Sequence, residues 1–172
     1  YYRLDRNSFM PDNLKKYTYL EKNIILKDKR VILKPYVVAK IALHLNLHDD
    51  ENVLILGSTT GYLTAILANQ ADTVIVVEED KGFLSFSEDV IKKNNINNVV
   101  FFEGEIAKGC LDQSPFNAII IEGAVRDVPV NILNQLDENG RLLCFMSNTG
   151  ICNARMFRKK GSIIHEETLF NC

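Results

Sequence analysis

Residues 52–68, NVLILGSTTGYLTAILA, restrict the fold of this chain more than any other stretch. Four large aliphatic residues, Val53 to Leu56, run without a polar interruption. A turn of small residues follows, Gly57-Ser58-Thr59-Thr60-Gly61. Apolar residues then return at helical spacing as Leu63, Ile66 and Leu67. An apolar run, a glycine-bounded turn and an amphipathic helix make a β-turn-α unit. In a doubly wound parallel sheet such a turn lies at the carboxyl end of a strand, where ligands bind. Glycine there lets a ligand approach the backbone, and the helix amino terminus adds free N–H groups.

The spacing is G-x-x-x-G, so Thr59 stands where the G-x-G-x-x-G fingerprint has its central glycine. The next apolar run, TVIVVEED (73–80), ends in Glu78 and Glu79. One of these falls about 20 residues on, the distance at which a carboxylate meets a ribose. The plainer account is that the glycines only close a tight turn and the acid is solvated. A glycine turn paired with an acid ending the following strand favours the ligand.

The same alternation continues along the chain. Pro35 opens a helix with the stripe Val37, Val38, Ile41, Ala42 and Leu45. KGFLSFSEDVIKKNN (81–95) predicts a second amphipathic helix, and NVVFFEGEI (98–106) a third strand. PFNAIIIEGA (115–124) carries four consecutive apolar residues from Ala118, the mark of a strand buried on both faces. Pro129 predicts a helix through Leu136, and Asn139-Gly140 a turn into a fifth strand, RLLCFM. The segments around ICNARMFRKK and SIIHEETLF predict an antiparallel pair joined at Lys160-Gly161. The expected fold is therefore α/β, three layers, with a mostly parallel seven-stranded sheet ending in an antiparallel hairpin. Residues 1–34 lack a clear period and are expected to form an irregular cap, with Lys27 to Arg30 a solvated charged turn. Residues 35–172 are expected to form one unit.

Twenty basic and 22 acidic residues give a net charge of −2, with no one-signed field to draw nucleic acid or a membrane surface. No apolar run is long enough to cross a bilayer. No signal peptide is visible, although the chain begins with Tyr1 rather than Met. Cys110, Cys144, Cys152 and Cys172 include no C-x-x-C pair. They are expected to be reduced thiols in a cytoplasmic protein, serving mainly in packing. His44 and His48 share a helix face, but no third ligand accompanies them, so no metal is expected.

Several blocks in order resemble one family of class I S-adenosylmethionine-dependent methyltransferases, the protein-L-isoaspartate O-methyltransferases. They are DRNSFMP (5–11), KRVILKPYVVAK (29–40), VLILGSTTGYLTAILA, VVEED, FEGEIAKG (102–109) and PFNAIIIEGAVRDVPVNILNQLDENGRLL (115–143). Gly-x-Thr-Gly-Tyr turns and Glu-Glu-Asp strand ends are similar to a divergent bacterial branch. The resemblance implies methyl transfer from S-adenosylmethionine to a carboxylate of isoaspartyl proteins or peptides, with S-adenosylhomocysteine as product. It places Gly57, Ser58 and Gly61 along the methionine and ribose of the cofactor, with Tyr62 beside them. It places Glu78 on the ribose hydroxyls and Glu105 on the adenine amino group. It names no catalytic side chain.

This chain departs from the pattern at several points. Ile55 replaces an acid, Thr59 a glycine, and Leu33 a hydroxyl residue near the acceptor. Asn117 replaces an Asp, and Glu122-Gly123-Ala124 a Thr-Ala. These changes predict reduced repair activity in a folded protein. The alternative is a methyltransferase fold without catalysis that binds a ligand or partner. A nicotinamide oxidoreductase is disfavoured by the glycine spacing and the terminal hairpin.

Overall fold

The computed structural model describes residues 4–148 and 151–171. Among them, β3 (Asn52–Leu56), β4 (Thr73–Glu78), β5 (Val99–Glu103), β6 (Phe116–Val125), β7 (Leu136–Asn148), β8 (Ile151–Lys160) and β9 (Ile163–Asn171) form one sheet. Its order is β5-β4-β3-β6-β7-β8-β9. β3 to β7 pair in parallel, whereas β7–β8 and β8–β9 are antiparallel. The expected sheet and its closing hairpin are thus present, with β3 at the centre.

The long aliphatic runs explain the layers. Along β3, Val53 and Ile55 enter one core, while Leu54 and Leu56 enter the core on the opposite face. β4 does the same with Val74 and Val76 against Ile75 and Val77. Each fully buried aliphatic side chain contributes about 1.5–3 kcal/mol, so such strands are stable only when covered on both sides. α1 (Pro35–Leu45) and α2 (Tyr62–Ala68) cover one face. On the other lies the short α4 (Val130–Leu133), with Ile106 of a 3-10 turn. α3 (Lys81–Lys93) follows β4, and the Asp80 carboxylate caps it by accepting from the Gly82 and Phe83 N–H groups.

The polypeptide before α1 is not a loose wrapping. Two 3-10 helices, Arg6–Phe9 and Asp12–Tyr17, precede a two-stranded hairpin of β1 (Ile24–Ile25) and β2 (Val31–Ile32). Phe9 is fully buried with Ala65, Val90 and Ile91. Its ring meets Tyr62 edge-on at 5.5 Å.

Three expectations need correction. The helix expected from Pro129 through Leu136 ends at Leu133, because Leu136 pairs with Phe116 and already belongs to the sheet. Asn139-Gly140 consequently lies inside β7, at a register shift between Phe116 and Ala118, with Asn139 at φ 63°. The cysteines are not all reduced. Cys110 and Cys144 are free, but Cys152 is disulfide-bonded. Cys172 lies outside the described residues. No described helix is long and apolar enough to cross a membrane.

Candidate functional site

The chain order puts β3 where the sheet changes direction: β4 and β5 extend it one way, β6 and β7 the other. The turns leaving β3, β4 and β6 therefore meet at one edge, the place where open α/β sheets bind ligands. Gly57 extends β3 by one hydrogen bond, its N–H donating to the Val77 carbonyl at 2.9 Å, and then turns away with φ +82°. That conformation costs a side-chain-bearing residue roughly 1–2 kcal/mol.

Glu78, the last residue of β4, is wholly buried (0% exposed) at this edge. Its Oε2 accepts from the Ser58 N–H at 2.8 Å, and its Oε1 from the Asp80 N–H at 2.9 Å. The Arg30 guanidinium grips both oxygens, Nη1 to Oε1 at 3.0 Å and Nη2 to Oε2 at 2.5 Å. Burial alone would raise the Glu78 pKa. The Arg30, Asp80 and Ser58 hydrogen bonds outweigh it and hold the carboxyl below the ordinary carboxylate value. So Glu78 is ionised, and Ser58 and Asp80 fix its orientation.

Arg30 corrects the expectation of a solvated turn. Its side chain is only 18% exposed and lies over Phe83, 5.2 Å from the ring centroid. Lys27 of the same turn bridges Asp80 at 2.6 Å, so two ion pairs strap residues 27–30 across the ends of β4 and α3. Beyond them opens a cavity of about 300 Å³ lined by Asp28, Arg30, Glu79, Asp80 and Phe83. Arg30 escaped the sequence reading because its partner is 48 residues away. The available signal was an Arg in an otherwise exposed turn just before a strand.

The remaining anticipated residues have varied surroundings. Gly61 has φ +77° and caps α2; a Cβ there would lie 3.3 Å from Ser87 Cβ and the Ser87 carbonyl oxygen. Close packing of the turn on α3 accounts for this glycine. Tyr62 is half-buried between Phe9 and the Arg6 guanidinium, which lies 4.8 Å from its centroid. Glu105 is exposed and bridges Lys108 at 2.6 Å. Its neighbour Ile106 reaches the turn: Cδ1 would sit 3.5 Å from a Cβ on Gly57. Leu33 packs in the core that contains Val37 and Ile41, and its carbonyl accepts from Arg6 Nη2 at 2.6 Å.

A second carboxyl group at this edge was not anticipated as a site residue. β6 bulges between Ile120 and Ala124, and Glu122 lies inside the bulge at 7% exposure. Thr59 Oγ1 lies 3.3 Å from Glu122 Oε1 and 3.4 Å from the Val31 carbonyl oxygen. Glu122 Oε2 has no hydrogen-bond partner among the described residues, and neither do Nε and Nη1 of Arg6, which is 3% exposed. Burial pushes the Glu122 carboxyl up to about 8, against the pull of Arg30. It is mostly neutral at pH 7, beside the ionised Glu78.

A nucleoside-bearing co-substrate fits these residues in kind. Gly57 presents bare backbone, and Glu78 is a preoriented carboxylate at the strand end, suited to ribose hydroxyls. One residue stands in the way: a Cβ on Gly57 would meet Arg30 Nη2 at 3.1 Å. Among the described residues no cluster of His, Cys, Asp and Glu suits a metal ion.

The family model described as protein-L-isoaspartate(D-aspartate) O-methyltransferase matches residues 2–171. A protein-L-isoaspartate O-methyltransferase of Myxococcus xanthus is 35% identical over 82% of this chain and 66% of its own length. A solved protein-L-isoaspartate O-methyltransferase superposes with TM-score 0.86 at 21% identity, covering 99% of this chain and 57% of that one. A Plasmodium falciparum beta-aspartate methyltransferase structure, in complex with S-adenosyl-L-homocysteine, gives 0.79 at 20% identity, covering 98% and 83%. The two structures share the fold. The chain spans about two thirds of the length of the Myxococcus relative.

Proposed function

This chain belongs to the protein-L-isoaspartate(D-aspartate) O-methyltransferase family, and we propose that it transfers a methyl group from S-adenosylmethionine to the carboxylate of isoaspartyl residues in proteins or peptides. The observation that carries the reading is the family match over residues 2–171. The ionised Glu78 beside the Gly57 turn supports it. When bound, S-adenosylmethionine supplies a sulfonium-activated methyl group, so an ionised carboxylate needs no base to accept it.

The protein's work is then binding, orientation and exclusion of water. Glu78 would take the ribose hydroxyls, held in place by the Ser58 and Asp80 N–H groups. Gly57 and Ser58 would line the ribose and methionine, with Gly61 and Tyr62 shaping the turn from behind. Glu105 would reach the adenine amino group after leaving Lys108. The segment before α1 acts as a cap on this cleft in the same proposal. Cytoplasmic placement goes with it, and the disulfide at Cys152 is the observation against that part.

A binding module without catalysis is the second reading. It is favoured by Leu33, an apolar side chain packed in the core where the resemblance expects a hydroxyl near the acceptor. Transfer of labelled methyl from S-adenosylmethionine to an isoaspartyl peptide, with the aspartyl peptide as control, separates the two. We expect slow but selective labelling of the isoaspartyl peptide. No labelling of either peptide, with S-adenosylhomocysteine still bound, would establish the module instead.

A further inference from the structure

Glu78 is fully subscribed. Arg30 Nη1 and the Asp80 N–H occupy Oε1; Arg30 Nη2 and the Ser58 N–H occupy Oε2. A carboxylate offers about four lone-pair sites, so none remains for a ligand hydroxyl. Two of the four donors belong to backbone that the sheet and α3 hold in place. The other two belong to one side chain just after the three-residue turn Lys27–Lys29.

That turn has unusual backbone geometry. Asp28 and Lys29 are consecutive non-glycine residues with φ of 53° and 61°, in the left-handed region. Such a residue carries a conformational cost and persists only while its neighbours hold it. Here the side-chain ties are the Lys27–Asp80 and Arg30–Glu78 pairs, with Lys27 itself largely exposed, beside the backbone bonds from Arg30 N–H to the Lys27 carbonyl and from Leu26 N–H to the Arg30 carbonyl. Withdrawal of Arg30 would therefore relax the turn rather than break the core.

A second carboxyl group is ready to receive the guanidinium. Glu122 Oε2 is buried without a partner, on the strand that flanks β3 opposite β4. The groups that face Glu122 are Arg30 from the turn, Thr59 from the turn after β3, Glu78 from β4 and Arg6 from the first 3-10 helix. Arg6 holds the Leu33 carbonyl through Nη2 at 2.6 Å and lies over the Tyr62 ring, while its Nε and Nη1 have no partner among the described residues. Of the two cations, Arg30 is the one that an incoming ribose would displace, since it holds both Glu78 oxygens.

Resting on the nucleoside reading above, we propose that Arg30 is a displaceable stand-in for the ribose, holding Glu78 until ribose hydroxyls replace it and then turning to Glu122. The move gives Glu122 a cation, so its carboxyl ionises and one proton passes to solvent; no covalent bond changes. Nucleoside binding and Glu122 ionisation are thereby coupled. Sign follows from linkage: the ligand-bound form carries fewer protons, so affinity rises with pH and levels off above about 8, where Glu122 ionises without ligand.

The test is calorimetric titration of the whole chain with S-adenosylhomocysteine at several pH values and in buffers of different ionisation enthalpy. Arg30→Gln is expected to bind about ten-fold tighter than wild type or better, as one charge-assisted contact no longer competes. Lys27→Gln, which only loosens the strap, is expected to tighten binding less and guards against misfolding of the first variant. Wild type is expected to release a proton on binding below pH 8, with roughly ten-fold rising affinity per pH unit at most. Glu122→Gln is expected to abolish both effects. Equal affinity in wild type, Arg30→Gln and Lys27→Gln would overturn the stand-in while leaving the nucleoside reading intact. Absence of proton release from wild type would overturn the transfer to Glu122. No binding by any variant at any pH would remove the nucleoside reading and this inference together.

Discussion

Glu78 and Glu122 lie on the two strands that flank β3, and their surroundings push them in opposite directions. Glu78 has donors enough to outweigh its burial; Glu122 has one hydroxyl neighbour and an unpaired oxygen. The consequences for stability differ in sign. Glu78, with its folded pKa depressed, stabilises the protein above the ordinary value of 4.5, and this is lost as pH falls through the folded pKa. Glu122, raised from 4.5 to about 8, favours the folded state below 4.5 and loses that contribution as pH climbs toward 8. Denaturant unfolding between pH 3 and 9 should thus show a shallower acid limb in Glu78→Gln. In Glu122→Gln the decline from pH 4.5 to 8 should shrink, by on the order of a few kcal/mol at most. An unchanged neutral-pH slope in Glu122→Gln would mean that its carboxyl is ionised throughout. At this scale the sequence was partly legible. Glu78 was marked by its place after an apolar run and a glycine turn. Arg30 and Glu122 were not, because their environments are assembled by segments 48 and 63 residues away in the chain.

At the scale of elements, one cation ties the end of α1 to the start of β3. Arg141, on β7, donates Nη1 and Nη2 to the two oxygens of Glu51 at 2.7 Å each. Its Nε reaches the Leu45 carbonyl at 2.5 Å and Nη2 the Asn46 carbonyl at 3.0 Å. One guanidinium thus satisfies the carbonyl end of α1 and anchors the residue just before β3. Removing one partner of a buried pair typically costs about 3–5 kcal/mol. Arg141→Ala should lower the unfolding free energy by that order, read as a shift in the denaturant midpoint at constant slope. A loss below about 1 kcal/mol would class the pair with exposed ones. Elements whose own pattern decides them were legible: β3, β4, α1 and the β8–β9 hairpin fall where periodicity and Gly161 place them. α4 was not. Pro129 favours a helix through Leu136, but β7 captures Leu136 for the sheet and leaves four helical residues.

For the whole molecule, the sheet order brings the ends of β3, β4 and β6 to one edge, and that edge is where we propose the ligand enters. The segment before α1 turns that edge into a strapped cleft. Its aperiodic sequence concealed this, since its order comes from buried Phe9, from Arg6 on the Leu33 carbonyl, and from Arg30 on Glu78 rather than from repeating pattern. The central claim is that S-adenosyl nucleosides bind at Glu78 with Arg30 displaced. A crystal structure of the chain with S-adenosylhomocysteine tests it most directly. The account predicts ribose hydroxyls on Glu78, the ligand passing over Gly57, and Arg30 withdrawn from Glu78 toward Glu122. Ligand density away from the ends of β3 and β4, or bound ligand with the Arg30–Glu78 pair intact, would contradict it.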